Sequence, residues 1–478
     1  MKDHSDYENP LTTRYASKEI RRIFSPDNRY RRWRDMWIAL ARAEHALGLP
    51  ISREQIACLV AHRDDIDYDV VAEKEREIRH DVMAHLHAFA EKCPQARPIL
   101  HLGATSCFVT DNTDLLLLRD ALEVILKLTV NTIAALADLV RTHRALPTLG
   151  FTHFKPAQPT TVGKRACLWL QDLLLDLERL EYELEHLRFR GVKGTTGTQA
   201  SFLDLFDGDH AKVDELDRLV AEELGFDRIF AVTGQTYPRK LDYQLLAVLS
   251  GVAQSAHRFA NDIRLLMHQG EVEEPFEKTQ VGSSAMPYKR NPMRSERITA
   301  LSRYLISLPV NAAQTAAEQW LERTLDDSAN RRIVLPQAFL AADAVLQLWM
   351  NVAGGLVVNE AVIAGNLEQE LPFMATERIL MRAVKLGGDR QTLHEQIRVH
   401  AVAAHQAILA GADKNDLLDR LAADPVFAEV KSEFSGLLDP ASFIGRAPEQ
   451  VDRFLLSEVD PVLERYGDLL GAEAVITV

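Results

Sequence analysis

The spacing of apolar residues between Thr161 and Arg190 is what most constrains this chain's fold. Val162, Ala166, Trp169, Leu173, Leu177, Leu180, Leu184 and Leu187 recur there at intervals of three and four. That period draws one stripe along a 3.6-residue helix and fits no strand, whose side chains alternate every two. Asp114 to Arg144 repeats it, and so does Leu241 to Leu266, through Leu245, Val248, Val252, Phe259 and Ile263. At 1.5 Å per residue a helix of about thirty residues runs ~45 Å, and helices of that length pack as bundles. The run LWLQDLLLDL is apolar over more than one face. It predicts burial on two sides, one against the chain's own core and one against another subunit.

No strand-like alternation of convincing length and no internal repeat occurs, so the predicted class is all-α. The length of 478 residues accommodates several domains. We divide it into an N-terminal helical domain (1–105), a central long-helix bundle (106–358) and a smaller helical C-terminal domain (359–478). In the last part the heptad-like pattern weakens, and Gly, Asp and Pro become more frequent. Within the first part, Trp33, Trp37 and Leu40 share a helical face. Glu73 to Ala90 reads as one helix with Ile78, Val82, His85/Leu86 and Phe89 as its stripe. His80 lies off that stripe, between Arg79 and Asp81.

Charge and cysteine usage exclude several classes. The formal net charge is −14, against the basic surface that general nucleic-acid binding needs, despite the arginines of Arg21 to Arg34. A local basic pocket for a small anion remains compatible with it. Cys58, Cys93, Cys107 and Cys167 form no CxxC pair, and no Cys/His spacing matches a zinc site, so no metal is expected. They read as reduced thiols of a cytoplasmic protein. The start, MKDHSDYENP, is neither a secretory signal nor a transit peptide. No apolar run approaches the ~18 residues that cross a bilayer, so no membrane partner is expected.

The polar breaks between the helices carry the chemistry. The fullest is Val281 to Arg297, VGSSAMPYKRNPMRSER. Gly282, Pro287 and Pro292 make it a loop, and Lys289, Arg290, Arg294 and Arg297 make it cationic. Asn291-Pro292 reads as an N-cap followed by proline at the first helical position, so the loop runs into a helix N-terminus suited to an anion. On composition alone such a segment is also an ordinary solvated loop. Other breaks are His101 to Asn112, Gly150 to Thr161, Gly191 to Ser201, Gly234-Gln235-Thr236 and Leu321 to Arg332. None is a GxGxxG, GxxxxGK[ST] or GxSxG motif. Together the breaks offer His80, His153, Ser283, Ser284, Lys289 and arginines, with no metal set and no cofactor fingerprint. β-Elimination beside a carboxylate needs only such groups. A base takes the carbon-bound proton, cations and amides hold the aci-carboxylate, and an acid protonates the leaving atom. A serine serves as base only when its alkoxide is surrounded by donors, which a closing loop provides.

GSSAMPYKRNP resembles the GSSxMPxKxNP signature of the fumarase/aspartase superfamily. RHDVMAH, TSCFVTDNTD, GFTHFKPAQPTTVGKR, RGVKGTTGTQASF, ERTLDDSANRR and ELPFMATE are further similar to the adenylosuccinate lyase family of animal type, across nearly the whole chain. The resemblance implies an all-α, three-domain subunit and a homotetramer built on a core of long helices. It also implies active sites assembled from three subunits, no cofactor, and release of fumarate from succinyl purine ribotides. Carried over by position, Ser283 matches the general base, His153 the general acid and Glu296 the carboxylate orienting that histidine. Lys289 matches the lysine near the fumaryl carboxylate, with Asn291 in the same loop, and His80, flanked by Arg79 and Asp81, a second histidine at the substrate. Thr105, Ser106, Thr152 and Gln235 match polar contacts to the succinyl group or base. Arg14, Tyr15, Arg297, Arg323, Ser328 and Arg332 match nucleotide and phosphate contacts. Where more distant members have a second histidine three residues after the first, this chain has Pro156. Argininosuccinate lyase and fumarase share the loop, and a non-catalytic bundle protein or a nucleic-acid binder using Arg21 to Arg34 are the readings from other classes.

Overall fold

A computed structural model describes residues 5–277 and 279–476. Its centre is a bundle of five helices, Ser106–Thr142, Val162–His186, Lys240–His268, Met293–Ala317 and Asp326–Gly355. Lys240–His268 packs on three others, and Ser106–Thr142 joins Val162–His186 to Asp326–Gly355. The apolar stripes lie where their spacing predicts: Leu173, Leu180, Leu245, Val252, Phe259 and Ile263 are fully buried. Trp169 meets Phe259 edge-on at 5.2 Å, and Trp349 stacks on Phe259 at 5.3 Å. Such aromatic contacts add ~0.5–1.5 kcal/mol each beyond the area they bury.

Asp326–Gly355 corrects one expectation, because it is long and apolar enough to cross a membrane. Its most apolar window is 83% buried within the bundle, so that apolarity serves the protein core. The chain is all-α as expected, with two short ribbons beside the helices that the sequence pattern does not show. Pro147–Thr152 and Lys155–Thr161 form an antiparallel hairpin, and a second two-stranded ribbon pairs Val272–Glu273 with Val357–Val358. Pro156 and Pro159 argue against a strand in sequence, but in a two-stranded ribbon every strand is an edge and proline is tolerated.

Glu73 to Ala90 is two helices rather than one. Tyr68–Ile78 ends at Arg79, which is left-handed (φ 57°), and Asp81–Lys92 begins with His80 as its N-cap. The imidazole caps by accepting from the Met83 amide, although histidine is a rarer cap than Ser or Asp. The break leaves Ile78 exposed, whereas Val82, His85 and Phe89 are buried.

Past the bundle, Glu360–Lys385, Arg390–Leu409 and Leu417–Ala423 enclose a second core around Ile379, Leu393, Leu421 and Phe427. The chain then returns to the first core. Val451, Leu455, Val459 and Val462 are buried in it. Asn131 ties down the end, donating to the Leu469 carbonyl and accepting from the Ala472 amide.

Candidate active site

Asp81, Arg323, Ser328 and Arg332 line one cavity of about 650 Å³ at an end of the bundle. Its floor is a buried charge network. Arg239 donates to both oxygens of Asp111 (3.0 and 3.2 Å) and to Asp327 at 2.5 Å. Arg323 reaches the other oxygen of Asp327 at 2.7 Å, and Arg331 pairs with Asp242 and Asp114. Burial alone would raise the Asp111 carboxyl, but Arg239 and Arg331 beside it hold it below the ordinary range. At the rim, Arg332 pairs with Asp81 at 2.5 Å and keeps that carboxyl low against its own burial. Sequence reading missed Arg239 and Asp111. The signal was local only for the i,i+4 pair Arg323 and Asp327, since Asp111 and Arg239 lie 128 residues apart.

His80 stands beside this cavity, one residue before Asp81. Its Nδ1 accepts the Met83 amide, so in the neutral ring the proton sits on Nε2, which faces the Ser106 hydroxyl at 3.4 Å. Thr105 is the N-cap of the helix that Ser106 opens, and its side chain makes no capping bond. Gln235 accepts from the Cys107 thiol and donates to the Thr195 carbonyl. Its own amide bonds the Glu322 carbonyl. The structure therefore groups His80, Asp81, Thr105, Ser106 and Gln235 around the start of one helix. Arg79 is exposed beside them.

Ser283 occupies a separate place. Its loop closes on itself: Asn291 donates to the Gly282 carbonyl, and a Cβ on Gly282 would lie 2.3 Å from the Lys289 carbonyl. Only glycine fits at that crossing. Ser283 is half-buried and its Oγ accepts the Met286 amide at 3.1 Å, and Lys289 is exposed. The helix starts one residue later than predicted, with Pro292 as N-cap. Its first amides are not open to a ligand. Those of Arg294 and Ser295 donate to the Glu274 carboxylate of the same chain, at 3.0 and 2.6 Å. An internal carboxylate thus takes the place expected for a bound anion, which leaves Lys289 and the loop amides as the donors here. Glu296 is exposed one turn in. Arg297 follows, its guanidinium 5.7 Å from the centre of the Tyr15 ring, with Arg14 lining the same small cleft.

His153 and Thr152 lie at the tip of the hairpin. His153 and Phe154 are the two turn residues, both left-handed (φ 52° and 58°). This is the two-residue turn that suits hairpin twist and normally takes Asn-Gly. Two bulky residues here carry strain of order 1–3 kcal/mol each, a feature that clusters at functional sites. Both side chains are exposed, and that of His153 has no hydrogen-bond partner among the described residues.

Among the described residues, no hydrogen bond or ion pair within one chain joins His153, Ser283 and His80 to one another. Nor does one join Glu296 to His153 among the described residues. The chain presents three partial constellations on separate elements.

Comparison with known proteins gives the following. Residues 13–306 match the family described as Lyase, and residues 372–454 the one described as Adenylosuccinate lyase C-terminus. The adenylosuccinate lyase of Schistosoma mansoni is 50% identical over 100% of both chains. That of Saccharomyces cerevisiae is 51% identical over 99% of both. Among solved structures, the 3-carboxy-cis,cis-muconate lactonizing enzyme of Pseudomonas putida superposes with a TM-score of 0.82 at 26% identity. That match covers 95% of this chain and 100% of the other.

Proposed function

The chain is a lyase belonging to the adenylosuccinate lyase family, and on that premise we propose that it releases fumarate from succinyl purine ribotides. The substrates would be adenylosuccinate, giving AMP, and succinyl-aminoimidazole-carboxamide ribotide, giving AICAR. The observation that carries this reading is likeness over the full length, at half identity, to lyases named for the first of these substrates. The arginine-lined cavity beside His80 agrees with it, since a phosphorylated substrate needs fixed cations at a distance from the reacting carbon.

In this reading Ser283 removes the proton from the succinyl carbon beside the carboxylate, and His153 protonates the departing nitrogen. Lys289 and Asn291 stabilise the doubly charged intermediate, and Glu296 orients His153. His80 and Ser106, with Thr105, Thr152 and Gln235, hold the succinyl group or the base. Arg14, Tyr15, Arg297, Arg323, Ser328 and Arg332 hold the nucleotide and its phosphate, with Arg79 and Asp81 at the rim. No cofactor has a role.

Because these groups lie apart in one chain, we further propose that the site is assembled from several subunits of a homotetramer. Leu168, Leu175 and Tyr182 support this. They recur every seven residues along the outward face of Val162–His186, and all three are exposed. Such a stripe is a seam for another helix. Leu265 and Val310 extend the exposed apolar surface onto two more bundle helices.

The test is to offer adenylosuccinate, the carboxamide ribotide and argininosuccinate separately and follow fumarate. Turnover of both ribotides is expected. Turnover of argininosuccinate alone overturns the substrate assignment.

A further inference from the structure

Away from these groups, the N-terminal region brings Cys93 to a pair of side chains that no local spacing connects it with. Cys58 and His62 sit one turn apart at the end of the Arg53–Ala61 helix, with His62 as its C-cap. Cys93 is the C-cap of Asp81–Lys92. The Cys58 and Cys93 sulfurs lie 3.9 and 3.5 Å from His62 Nδ1. All three atoms lie within 4.8 Å of one another. A tetrahedral zinc with Zn–S of about 2.3 Å and Zn–N of about 2.0 Å requires S···N edges of ~3.6 Å. The two observed separations bracket that value, so a metal needs only small side-chain adjustments.

We propose that Cys58, His62 and Cys93 form a binding site for a thiophilic d10 cation, of the class of Zn²⁺, that ties the two helix ends together. Soft thiolates with one imidazole select such ions over Mg²⁺ or Ca²⁺. The Cys93 thiol is buried and donates to the Cys58 carbonyl at 3.1 Å. Burial and the neighbouring Cys58 push this thiol up to about 12. His62 Nδ1 lies 3.0 Å from the same carbonyl. Binding releases the two thiol protons to solvent and moves the imidazole proton to Nε2, which frees the Nδ1 lone pair. The Cys58 carbonyl is not orphaned, because the backbone amide of His62 still donates to it. Arg34 holds the segment in place by donating to the carbonyls of Arg63 and Asp65. Cys58 and His62 are half-buried, so the fourth position faces solvent and takes water or a small ligand.

The test uses the full chain, stripped with a chelator, kept reduced with a phosphine and titrated with Co²⁺. One Co²⁺ per chain is expected, with thiolate-to-metal charge transfer and the strong ligand-field bands of a tetrahedral ion, both lost when Zn²⁺ is added. Cys58→Ser and Cys93→Ser should each lose about half of the charge-transfer intensity, the double variant should lose it all, and His62→Gln should weaken binding at least about tenfold. Cys58→Ser is decisive, because its half-exposed side chain is replaced without a cavity and circular dichroism verifies the fold. Absence of the band in the wild type overturns the proposal, as does undiminished intensity in Cys58→Ser or any band left in the double variant, which would assign it to other thiols. Loss of two thiols in air with no metal uptake under reducing conditions also overturns it, in favour of a disulfide.

Discussion

The floor of the arginine cavity and the Ser283 loop contain similar residues and use them in opposite ways. Arg239, Asp111 and Asp327 are at most 3% exposed, and each charge is answered by a neighbour on another helix. In the loop, Lys289 points outward and Ser283 has one backbone partner. The cavity floor is set by folding, at the cost of desolvating its charges. The loop is held mainly at its crossing, Gly282 with Asn291, and the groups assigned to chemistry project from it. On the proposed reading, recognition is built into the bundle, while the groups proposed to transfer protons sit on lightly held elements that would become a site only when brought together.

The largest effect that sharpens this contrast is on turnover alone. Ser283→Ala is expected to lower kcat by about 10³-fold or more. Melting temperature and oligomeric state should not change; if they do, the loop is part of the scaffold. His153 divides the same question further. His153→Asn keeps a residue that tolerates left-handed backbone and removes the imidazole, so steady-state kinetics should show a loss of about 10²–10⁴-fold. His153→Gly should be as inactive yet slightly more stable in thermal unfolding, by about 1 kcal/mol, as turn strain is relieved. A less stable glycine variant would show that the turn is not strained.

The cavity floor should behave in reverse. Arg239→Met leaves Asp111 and Asp327 buried with less compensation. Denaturant unfolding should report a loss of about 3–5 kcal/mol, with activity falling only as the fold is lost. A neutral result would remove the network from the scaffold.

A pH effect of intermediate size belongs to the N-terminal region. His85 is buried against Tyr30 and Trp33, and burial brings its imidazole down to about 4. Its folded pKa lies below the unfolded value near 6.5, so the unfolded chain binds more protons between them. The stability it contributes is complete above about pH 6.5 and is lost as pH falls towards 4. His85→Phe keeps the ring packing and should flatten that part of the stability–pH profile; an unchanged slope contradicts this. The smallest effect is expected at the loop's exposed ion pair, Arg290 with Glu273, where Arg290→Ala should cost under about 1 kcal/mol in unfolding.

How much was legible in the sequence follows the range of each interaction. Helical period is local, so Val162, Trp169, Leu173 and Phe259 could be placed in a core from their spacing alone. The split at Arg79 and His80 could not, because an unusual cap interrupts a stripe that otherwise continues. The Pro147–Thr161 hairpin was hidden by its own prolines. Ser283 and His153 were singled out through motif resemblance, but no sequence pattern indicates that His153 sits in a left-handed turn. The occupation of the loop helix's N-terminus by Glu274, nineteen residues before Met293, depends on how the chain folds back. The same holds for Cys93 meeting Cys58 and His62.

The central claim is that the three constellations belong to one site only when subunits combine. Ser283→Ala and His153→Asn chains, each inactive, can be mixed at equal concentration, dissociated, reassembled and assayed for fumarate release. If serine and histidine come from different chains, random assembly restores about a quarter of wild-type activity. If one chain supplies both, no combination of these variants completes a site. Activity that stays at the level of the separate variants, in oligomers verified to be mixed, would contradict the account.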